Sequence, residues 1–202
     1  MSAATRSAAL PRASYHSGAA LPRGFYSRSA VVVARELLGK ALVKGKTAGV
    51  IIETEAYPGG DDLASHSAAG LTNRTRVIFG PPGHAYVYLS YGMHVCMNIV
   101  AEPEGTAGCV LIRALEPVSG LEIMRARRPA ARTDRDLASG PGKLTQALGI
   151  TLDDYGADLT HGQFAVHEAV NARQFDIDVT PRIGISKCVD LPLRFVARAA
   201  RI

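Results

Sequence analysis

The stretches ETEAYPGGDDLASH (residues 53–66) and YVYLSYGMHVCMN (residues 86–98) decide the fold of this chain. The run from Val50 to Tyr57 alternates as a β-strand does, with successive side chains pointing to opposite faces. One face of this predicted strand carries two carboxylates and a phenol, and the other carries mostly apolar groups: Glu53, Glu55 and Tyr57 against Val50, Ile52, Thr54 and Ala56.

The second stretch predicts a β-hairpin with a tyrosine near its tip. It alternates from Tyr86 to Leu89, reverses at residues 90–92, and returns through an apolar run from His94 to Val100. An aromatic side chain on an exposed turn gains little unless it inserts into a partner. Carboxylates beside stacking aromatics suit a flat, electron-poor substrate. Together the two stretches indicate a pocket for a base and a wedge.

The composition indicates one folded domain. The chain has 202 residues, of which 47% are hydrophobic, enough for a packed core. Its longest apolar runs are strand-sized and fall short of the ~20 residues of a membrane-spanning helix, so we expect a soluble protein that does not bind membranes. Three cysteines lie in apolar stretches without metal-ligand spacing and are expected to be reduced core thiols of a cytoplasmic protein: Cys96, Cys109 and Cys188.

The net charge of +5 is concentrated at the N-terminus. Residues 1–35 contain five arginines and no acidic residue, so the remaining 18 basic residues balance all 18 acidic ones. We expect residues 1–24 to form a basic, disordered arm and residues 25–202 to form the folded domain. Targeting to an organelle or the nucleus by this arm is an alternative. Phosphate contacts of the domain must come from local basic clusters, because the domain has no bulk positive field.

The other segments predict an α+β fold, a single domain with a mostly antiparallel, curved sheet flanked by helices and a protruding hairpin. The run SAVVVARELLGK is expected to be a helix capped by Ser29, followed by strands at residues 41–44 and 49–57. The later strand GCVLIRALEP contains Arg113, a charge that needs a partner.

The last third of the chain predicts two helices and further strands. One helix is expected from about Leu121 to Arg128, and another opens at SGPGKLTQALGI, where Lys143 follows backbone N–H groups left free by Gly-Pro-Gly. The segments FAVHEAV, TPRIGIS and LPLRFVARA are expected to be strands that close the same sheet.

Residues 58–83 predict a long loop, and loops of this length are usually functional. Three of the loop's side chains are also of types that bind metal ions, but no second ligand cluster supports a metal site: Asp61, Asp62 and His66. The segment SGPGKLTQ is not a nucleotide-binding loop, because its leading glycine is missing and Leu144 stands where serine or threonine should follow Lys143.

Several of these features have a purely structural alternative. Glu53 and Glu55 can form an ordinary solvated strand face, and the hairpin tyrosines can be core and surface residues of a sheet. Asn98, inside an apolar strand, is either a satisfied core amide or a group that sets specificity.

The motifs quoted so far resemble one known family. ETEAY, the D-x-x-x-H of Asp62 and His66, YVYxxYGMxxCMN, VLIRALEP and SGPxKLxQAL are similar, in the same order, to motifs of the alkyladenine (3-methyladenine) DNA glycosylases. The resemblance covers roughly residues 30–198. It implies that Glu55 is the general base that activates water, with Arg113 near it and near the target nucleotide.

The resemblance also implies roles for the pocket and the hairpin. The flipped base is expected to be held by Tyr57, His66 and Tyr88, while Asn98 obstructs the 2-amino group of guanine. Tyr91 is expected to fill the gap in the duplex. Further DNA contacts are expected from the hairpin and the start of the SGPGKLTQ helix: Met93, His94 and Lys143. His94 departs from the tyrosine of some relatives, which affects the grip on DNA.

The expected function is that of a monofunctional DNA glycosylase acting as a monomer on double-stranded DNA that contains alkylated or deaminated purines. No metal or cofactor is expected. The pocket stretches contain no lysine for Schiff-base chemistry, so no lyase activity is expected. Two other classes remain open: a carbohydrate-type glycoside hydrolase that uses Glu53 and Glu55, and a non-enzymatic nucleic-acid-binding protein.

Overall fold

A nine-stranded sheet organises residues 17–169 and 175–199, the part of the chain that the computed structural model describes. The strands are β1 (Ser17–Ala20), β2 (Ala41–Lys44), β3 (Thr47–Tyr57), β4 (Ala85–Ser90), β5 (His94–Val100), β6 (Cys109–Ser119), β7 (Phe164–Ala169), β8 (Phe175–Thr180) and β9 (Arg194–Ala199). The helices are α1 (Arg23–Tyr26), α2 (Ala30–Glu36), α3 (Leu121–Arg127) and α4 (Pro141–Leu148). Every strand pairing in this sheet is antiparallel, which confirms the predicted single α+β domain.

Strand β3 is the branch point of the sheet. Along one edge it pairs with β6 over nearly its whole length. Along the other edge it pairs first with β2 and then, at Glu53–Glu55, with β9. The sheet continues from β6 through β5 to β4, and from β2 through β7 to β1, while β8 pairs with β9. The strand that carries both glutamates therefore lies in the middle of the sheet.

A β-bulge in β3 corrects the predicted distribution of its side chains. Ile51 pairs with Leu115 and Glu53 pairs with Ala114, so Ile52 is the extra residue. Because an extra residue shifts the alternation by one position, Ile51 and not Ile52 is buried in the main core.

Helices α2 and α4 cover the core face of the sheet. As predicted, the hydroxyl of Ser29 caps α2, accepting from the Val31 N–H at 3.3 Å. Helix α2 packs on β3 and β6, and α4 packs on β5 and β6. Helix α4 is fixed further by the Thr145 hydroxyl, which donates to the Val95 carbonyl of β5 at 2.7 Å. The opposite face of the same central strands is left for a site.

The folded part of the chain begins earlier than the sequence predicts. Residues 17–24, assigned above to the basic arm, include β1, which pairs with β7. Leu21 follows β1 as a buried residue, and its N–H donates to the Val166 carbonyl at 2.8 Å. The pairing partner is some 150 residues away, so no local pattern signals it. Residues 1–16, the rest of the predicted arm, lie outside the described residues.

Near the C-terminus, the predicted strand at TPRIGIS is wrong. Strand β8 ends at Thr180, and residues 181–193 form a loop between β8 and β9. This loop also contains Cys188, which is half-buried and is not the core thiol predicted, whereas Cys96 and Cys109 are buried. Within the described residues, no helix has the length and apolar character needed to cross a bilayer.

Candidate active site

A row of paired residues crosses the four central strands on the face opposite the main core. Tyr86 of β4 pairs with Asn98 of β5, Asn98 pairs with Leu111 of β6, and Leu111 pairs with Glu55 of β3. Directly paired residues of antiparallel strands point to the same face. The pairing register therefore brings together side chains that lie up to 56 positions apart in the chain.

A cavity of about 650 Å³ opens on this face. Its volume is in the range of small-molecule binding sites. Its walls come from the loop after β3, the hairpin, β6, the start of α4 and the loop between β8 and β9. The lining includes Tyr57, His66, Arg74, Tyr88, Tyr91, His94, Asn98, Arg113, Gly142, Ile183 and Lys187.

Glu55 lies directly behind this lining and is 0% exposed. Its Oε2 accepts hydrogen bonds from the Tyr57 hydroxyl at 3.0 Å and from Arg113 Nη1 at 3.2 Å. Its Oε1 accepts from the backbone N–H of Ile183 at 2.9 Å. All three donors belong to residues that line the cavity. A carboxylate has about four acceptor positions, so this arrangement leaves one for a further donor.

Glu53 is engaged differently. Its Oε1 accepts from Arg113 Nε at 2.9 Å and from Arg194 Nε at 2.7 Å. Arg113 thus bridges the two glutamates, which confirms that the charge inside β6 has partners. Glu53 is committed to two guanidinium groups and serves to orient Arg113, and this favours unequal roles for the two carboxylates.

Aromatic rings form one wall of the cavity. Tyr86 and Tyr88 stack with centroids 5.2 Å apart, and the ring of His66 meets Tyr88 edge-on at 4.7 Å. His66 Nδ1 and the Tyr86 hydroxyl lie 2.8 Å apart, within hydrogen-bond distance. Burial and the nearby charge of Arg74 lower the pKa of His66 below its usual 6.5, so the imidazole is neutral at neutral pH. Burial raises the pKa of Tyr86 to about 12.

Tyr57 also lines the cavity, where burial and the neighbouring Glu55 carboxylate raise its pKa and keep its hydroxyl protonated as a donor. Arg182 lies against the ring of Tyr57, with its Cζ 4.5 Å from the centroid. The ring is therefore held between a buried cation and the cavity.

Asn98 is 5% exposed and lines the cavity floor. Its Nδ2 lies 3.2 Å from the Cys109 sulfur, a weak acceptor. Its Oδ1 is buried and finds no hydrogen-bond partner among the described residues. Among the described residues, only the nitrogen of the Asn98 amide therefore has a partner.

The hairpin tip and the start of α4 lie together at the mouth of the cavity. Tyr91 has a left-handed φ of 50° and is 81% exposed, and Met93 is also exposed. Gly142 lies against His94, where an added Cβ would be 3.0 Å from the His94 Cβ. Lys143 follows on the exposed side of the helix. The hairpin and α4 thus form one continuous rim.

Metal-binding residue types are not clustered here. Asp62, a candidate ligand in the sequence, is buried and binds Arg182 through both carboxylate oxygens. Within residues 17–169 and 175–199, no group of three His, Cys, Asp or Glu side chains is arranged to hold a metal ion.

A profile of the family described as methylpurine-DNA glycosylase (MPG) matches residues 24–201. The chain belongs to the methylpurine-DNA glycosylase family. It is 51% identical over 187 residues to a protein of Methanoculleus marisnigri, a match that covers 90% of this chain and 96% of that protein. A Rhodopseudomonas palustris protein is 51% identical over 184 residues (91% and 87%), and one from Koribacter versatilis is 47% identical over 196 residues (93% and 94%). All three carry the name "Putative 3-methyladenine DNA glycosylase".

Membership of this family makes the chain a DNA glycosylase of alkylated bases. The structure brings most of the predicted site residues to one cavity: Tyr57, His66, Tyr88, Tyr91, His94, Asn98 and Arg113 line it, with Glu55 directly behind. Met93 and Lys143 lie on the exposed rim beside it.

Sequence reasoning missed four contributors to this candidate site. Tyr86 contacts His66, and its shared face with Tyr88 was visible in the alternation of β4. Arg182 and Ile183 reach the site from a segment predicted as a strand. Lys187 lines the cavity although the pocket stretches of the sequence contain no lysine. The last three come from a loop whose position depends on the tertiary fold.

Proposed function

We propose that this chain is a monofunctional DNA glycosylase that flips alkylated or deaminated purines out of duplex DNA and hydrolyses the N-glycosidic bond with water activated by Glu55. The observation that most supports this proposal is the buried Glu55 carboxylate behind a cavity with aromatic walls. Three donors hold this carboxylate, and one of its acceptor positions is left for a further donor. We propose that it acts as a monomer, because one copy of the chain supplies the carboxylate, the aromatic walls and the rim.

The cavity supports flipping, because a base inside a duplex cannot reach a carboxylate behind a pocket floor. Flipping costs about a few kcal/mol, and damaged or mispaired bases reduce this cost. Tyr91 is exposed at the hairpin tip on the cavity rim, which supports a role in entering the gap and holding the duplex open. The walls formed by Tyr57 and Tyr88 offer stacking surfaces to the extruded base.

The chemistry assigned to Glu55 follows from the reaction. Cleavage of the N-glycosidic bond develops positive charge on the sugar, and a carboxylate both stabilises this charge and accepts a proton from the attacking water. Arg113 and Ile183 hold the carboxylate in place. Alkylation makes a purine a better leaving group, so one base suffices for such substrates.

Lys187 raises the alternative of Schiff-base chemistry with strand cleavage. A lysine that attacks carbonyl groups is typically desolvated or placed beside another cation. Lys187 is exposed to solvent, which supports a contact to phosphate and a monofunctional enzyme. Borohydride trapping on lesion-containing DNA tests this point, and a covalent protein–DNA adduct would contradict it.

The main test is release of free 3-methyladenine from methylated duplex DNA in the presence of a chelator. We expect the wild type to release the base and leave an intact abasic strand. Glu55→Gln should lose about 10²- to 10⁴-fold in rate, the range for a general base, with lesion-DNA affinity within about tenfold.

Glu53→Gln is the matched control for Glu55→Gln and should lose less activity. Equal losses would favour a paired-carboxylate mechanism. DNA binding without base release would favour a binding protein, and hydrolysis of simple glycosides would favour a carbohydrate hydrolase.

A further inference from the structure

The loop of residues 181–187, between β8 and β9, supplies one of the three donors to Glu55. The Ile183 N–H donates to Glu55 Oε1 at 2.9 Å. Ile183 itself is 48% exposed, and Gly184, Ser186 and Lys187 are exposed as well. Ile185 is partly buried against the cluster that contains Tyr57, but it lies two residues beyond Ile183 and does not by itself fix the N–H within hydrogen-bond distance of the carboxylate.

The residue before Ile183 provides the anchor. The side chain of Arg182 is 0% exposed, and it makes a bidentate ion pair with Asp62, Nη1 to Oδ2 at 2.6 Å and Nη2 to Oδ1 at 2.7 Å. Its Nη1 also donates to the Ala56 carbonyl at 3.1 Å, in β3 directly after Glu55. Two parallel hydrogen bonds and a third on the backbone fix both the position and the orientation of a planar guanidinium.

Asp62 ties this anchor to the segment that leads to His66. Its Oδ1 also accepts from the Ala64 N–H at 3.2 Å, and its carbonyl accepts from the Ser65 N–H at 2.9 Å. The turn that these bonds shape leads directly to His66. One ion pair thus connects the segment that carries His66 to the loop that contacts Glu55.

We propose that Asp62 and Arg182 are positioning residues that hold the Ile183 N–H against Glu55 and so keep the carboxylate in the geometry that activates water. This role rests on the function proposed above and extends it to a pair that touches neither the base nor the water. Misplacement of a catalytic group by about 1 Å costs on the order of 10²-fold in rate, so loss of the pair should be visible in the chemical step.

The sharpest test removes the ion pair without changing the net charge near Glu55, in the double variant Asp62→Asn/Arg182→Gln. Single-turnover base release from 3-methyladenine DNA is measured at saturating enzyme between pH 5 and pH 9. We expect a loss of about 10- to 100-fold in rate, with lesion-DNA affinity within about threefold of wild type.

The acid limb of the pH–rate profile provides a readout that a purely structural role would not move. A hydrogen bond to an ionised carboxylate favours the ionised form, so loss of the Ile183 donor should move the limb to higher pH by about half a unit or more. Arg182→Lys keeps the charge and loses the bidentate grip, so it should shift the limb in the same direction by less.

The matched control is Asp158→Asn/Arg23→Gln. It removes another Asp–Arg pair that joins distant segments, with Arg23 Nη2 and Asp158 Oδ2 2.5 Å apart, away from the residues that line the cavity. We expect a loss of thermal stability, with the rate per folded molecule and the acid limb unchanged. A limb that stays in place in the Asp62/Arg182 variant, or that moves equally in the control, would overturn the proposal.

Two further outcomes are informative. If the double variant does not fold, two other measurements decide: the pH–rate profile of Arg182→Lys and hydrogen exchange of the Ile183 amide in the wild type. An amide that exchanges as fast as in an unstructured peptide has no hydrogen bond to Glu55, and this result would contradict the proposal. If the wild type itself releases no base, the proposed function fails. If the wild type is active but loss of the ion pair changes neither the rate nor the acid limb, only the positioning role is contradicted.

Discussion

Replacing Asn98 with serine tests whether the amide excludes guanine from the cavity. Asn98 lies on the cavity floor, paired across the strands with Tyr86 on one side and Leu111 on the other. Hypoxanthine and guanine differ only in the 2-amino group. If the amide obstructs that group, a shorter side chain makes room for it, and guanine excision rises relative to hypoxanthine excision.

The structure predicts a small cost in stability. Asn98→Ser loses the contact between Nδ2 and the Cys109 sulfur, worth about 0.5–1.5 kcal/mol at most, and leaves a small void worth about 1 kcal/mol. It also replaces a buried carbonyl oxygen that has no partner among the described residues with a hydroxyl that can rotate toward the cavity, which relieves about 1–3 kcal/mol. These contributions nearly cancel, so the free energy of unfolding should change by less than about 1 kcal/mol.

The assay is single-turnover excision of hypoxanthine and of guanine mispaired with thymine, together with urea unfolding of each variant. We expect the guanine-to-hypoxanthine rate ratio to rise at least tenfold, equivalent to about 1.4 kcal/mol. Cys109→Ala is the control, since it removes the acceptor and leaves Asn98 in place, and its ratio should stay near that of wild type. An unchanged ratio in Asn98→Ser with a loss of more than about 2 kcal/mol would refute this reasoning and make Asn98 a structural residue.

Three further predictions concern the rim, the aromatic wall and acid stability. Tyr91→Ala should reduce excision from duplex DNA by about 10- to 100-fold, the equivalent of a lost stacking contact, and reduce excision from single strands less; equal losses would argue against a wedge. Because the folded state lowers the pKa of His66, stability should be complete above about pH 6.5 and fall as the pH drops below it, and His66→Gln should flatten this slope in urea titrations at pH 5 and pH 7.5. Burial opposes ionisation of Asp158, but hydrogen bonds from Thr160 and Arg23 outweigh it and lower its pKa from 3.8 to about 2. Because solvent screens this partly exposed pair, Asp158→Asn should cost only about 1 kcal/mol at pH 7, a difference that disappears as the pH falls from about 4 to 2 and that calorimetry measures.

Local patterns in the sequence were sufficient for the strands that build the site. The alternation of β3 predicted that Glu55 and Tyr57 share a face, and the charge of Arg113 inside an apolar run predicted a partner. Both expectations hold because they depend on neighbours in one strand or on the cost of an unpaired buried charge. The sequence wrongly predicted Ile52 on the core face. The cause is the bulge at Ile52, which shifts the alternation of side chains by one position and leaves no trace in the sequence.

The loop of Arg182 was not predictable in the same way. TPRIGIS alternates as a strand does, but its arginine finds Asp62 at a distance of 120 residues along the chain. A bidentate pair with a buried carboxylate is stable only where the fold brings the two side chains together, and this tertiary contact overrides the local preference. The same holds for β1, whose edge position depends on β7.

The charges of the site are arranged in two layers that suit a damaged purine in DNA. In the inner layer, at the cavity wall and behind it, three carboxylates are matched by three guanidinium groups: Glu53, Glu55 and Asp62 with Arg113, Arg182 and Arg194. This layer is neutral overall, so it does not repel a base that alkylation has made cationic, and the π faces of Tyr57 and Tyr88 attract such a cation. The exposed layer is positive instead, with Arg74 and Lys187 lining the mouth and Lys143 at the start of α4. Because salt screens exposed charges more than buried ones, high salt should weaken the grip of the rim on phosphates before it affects the selection of the base.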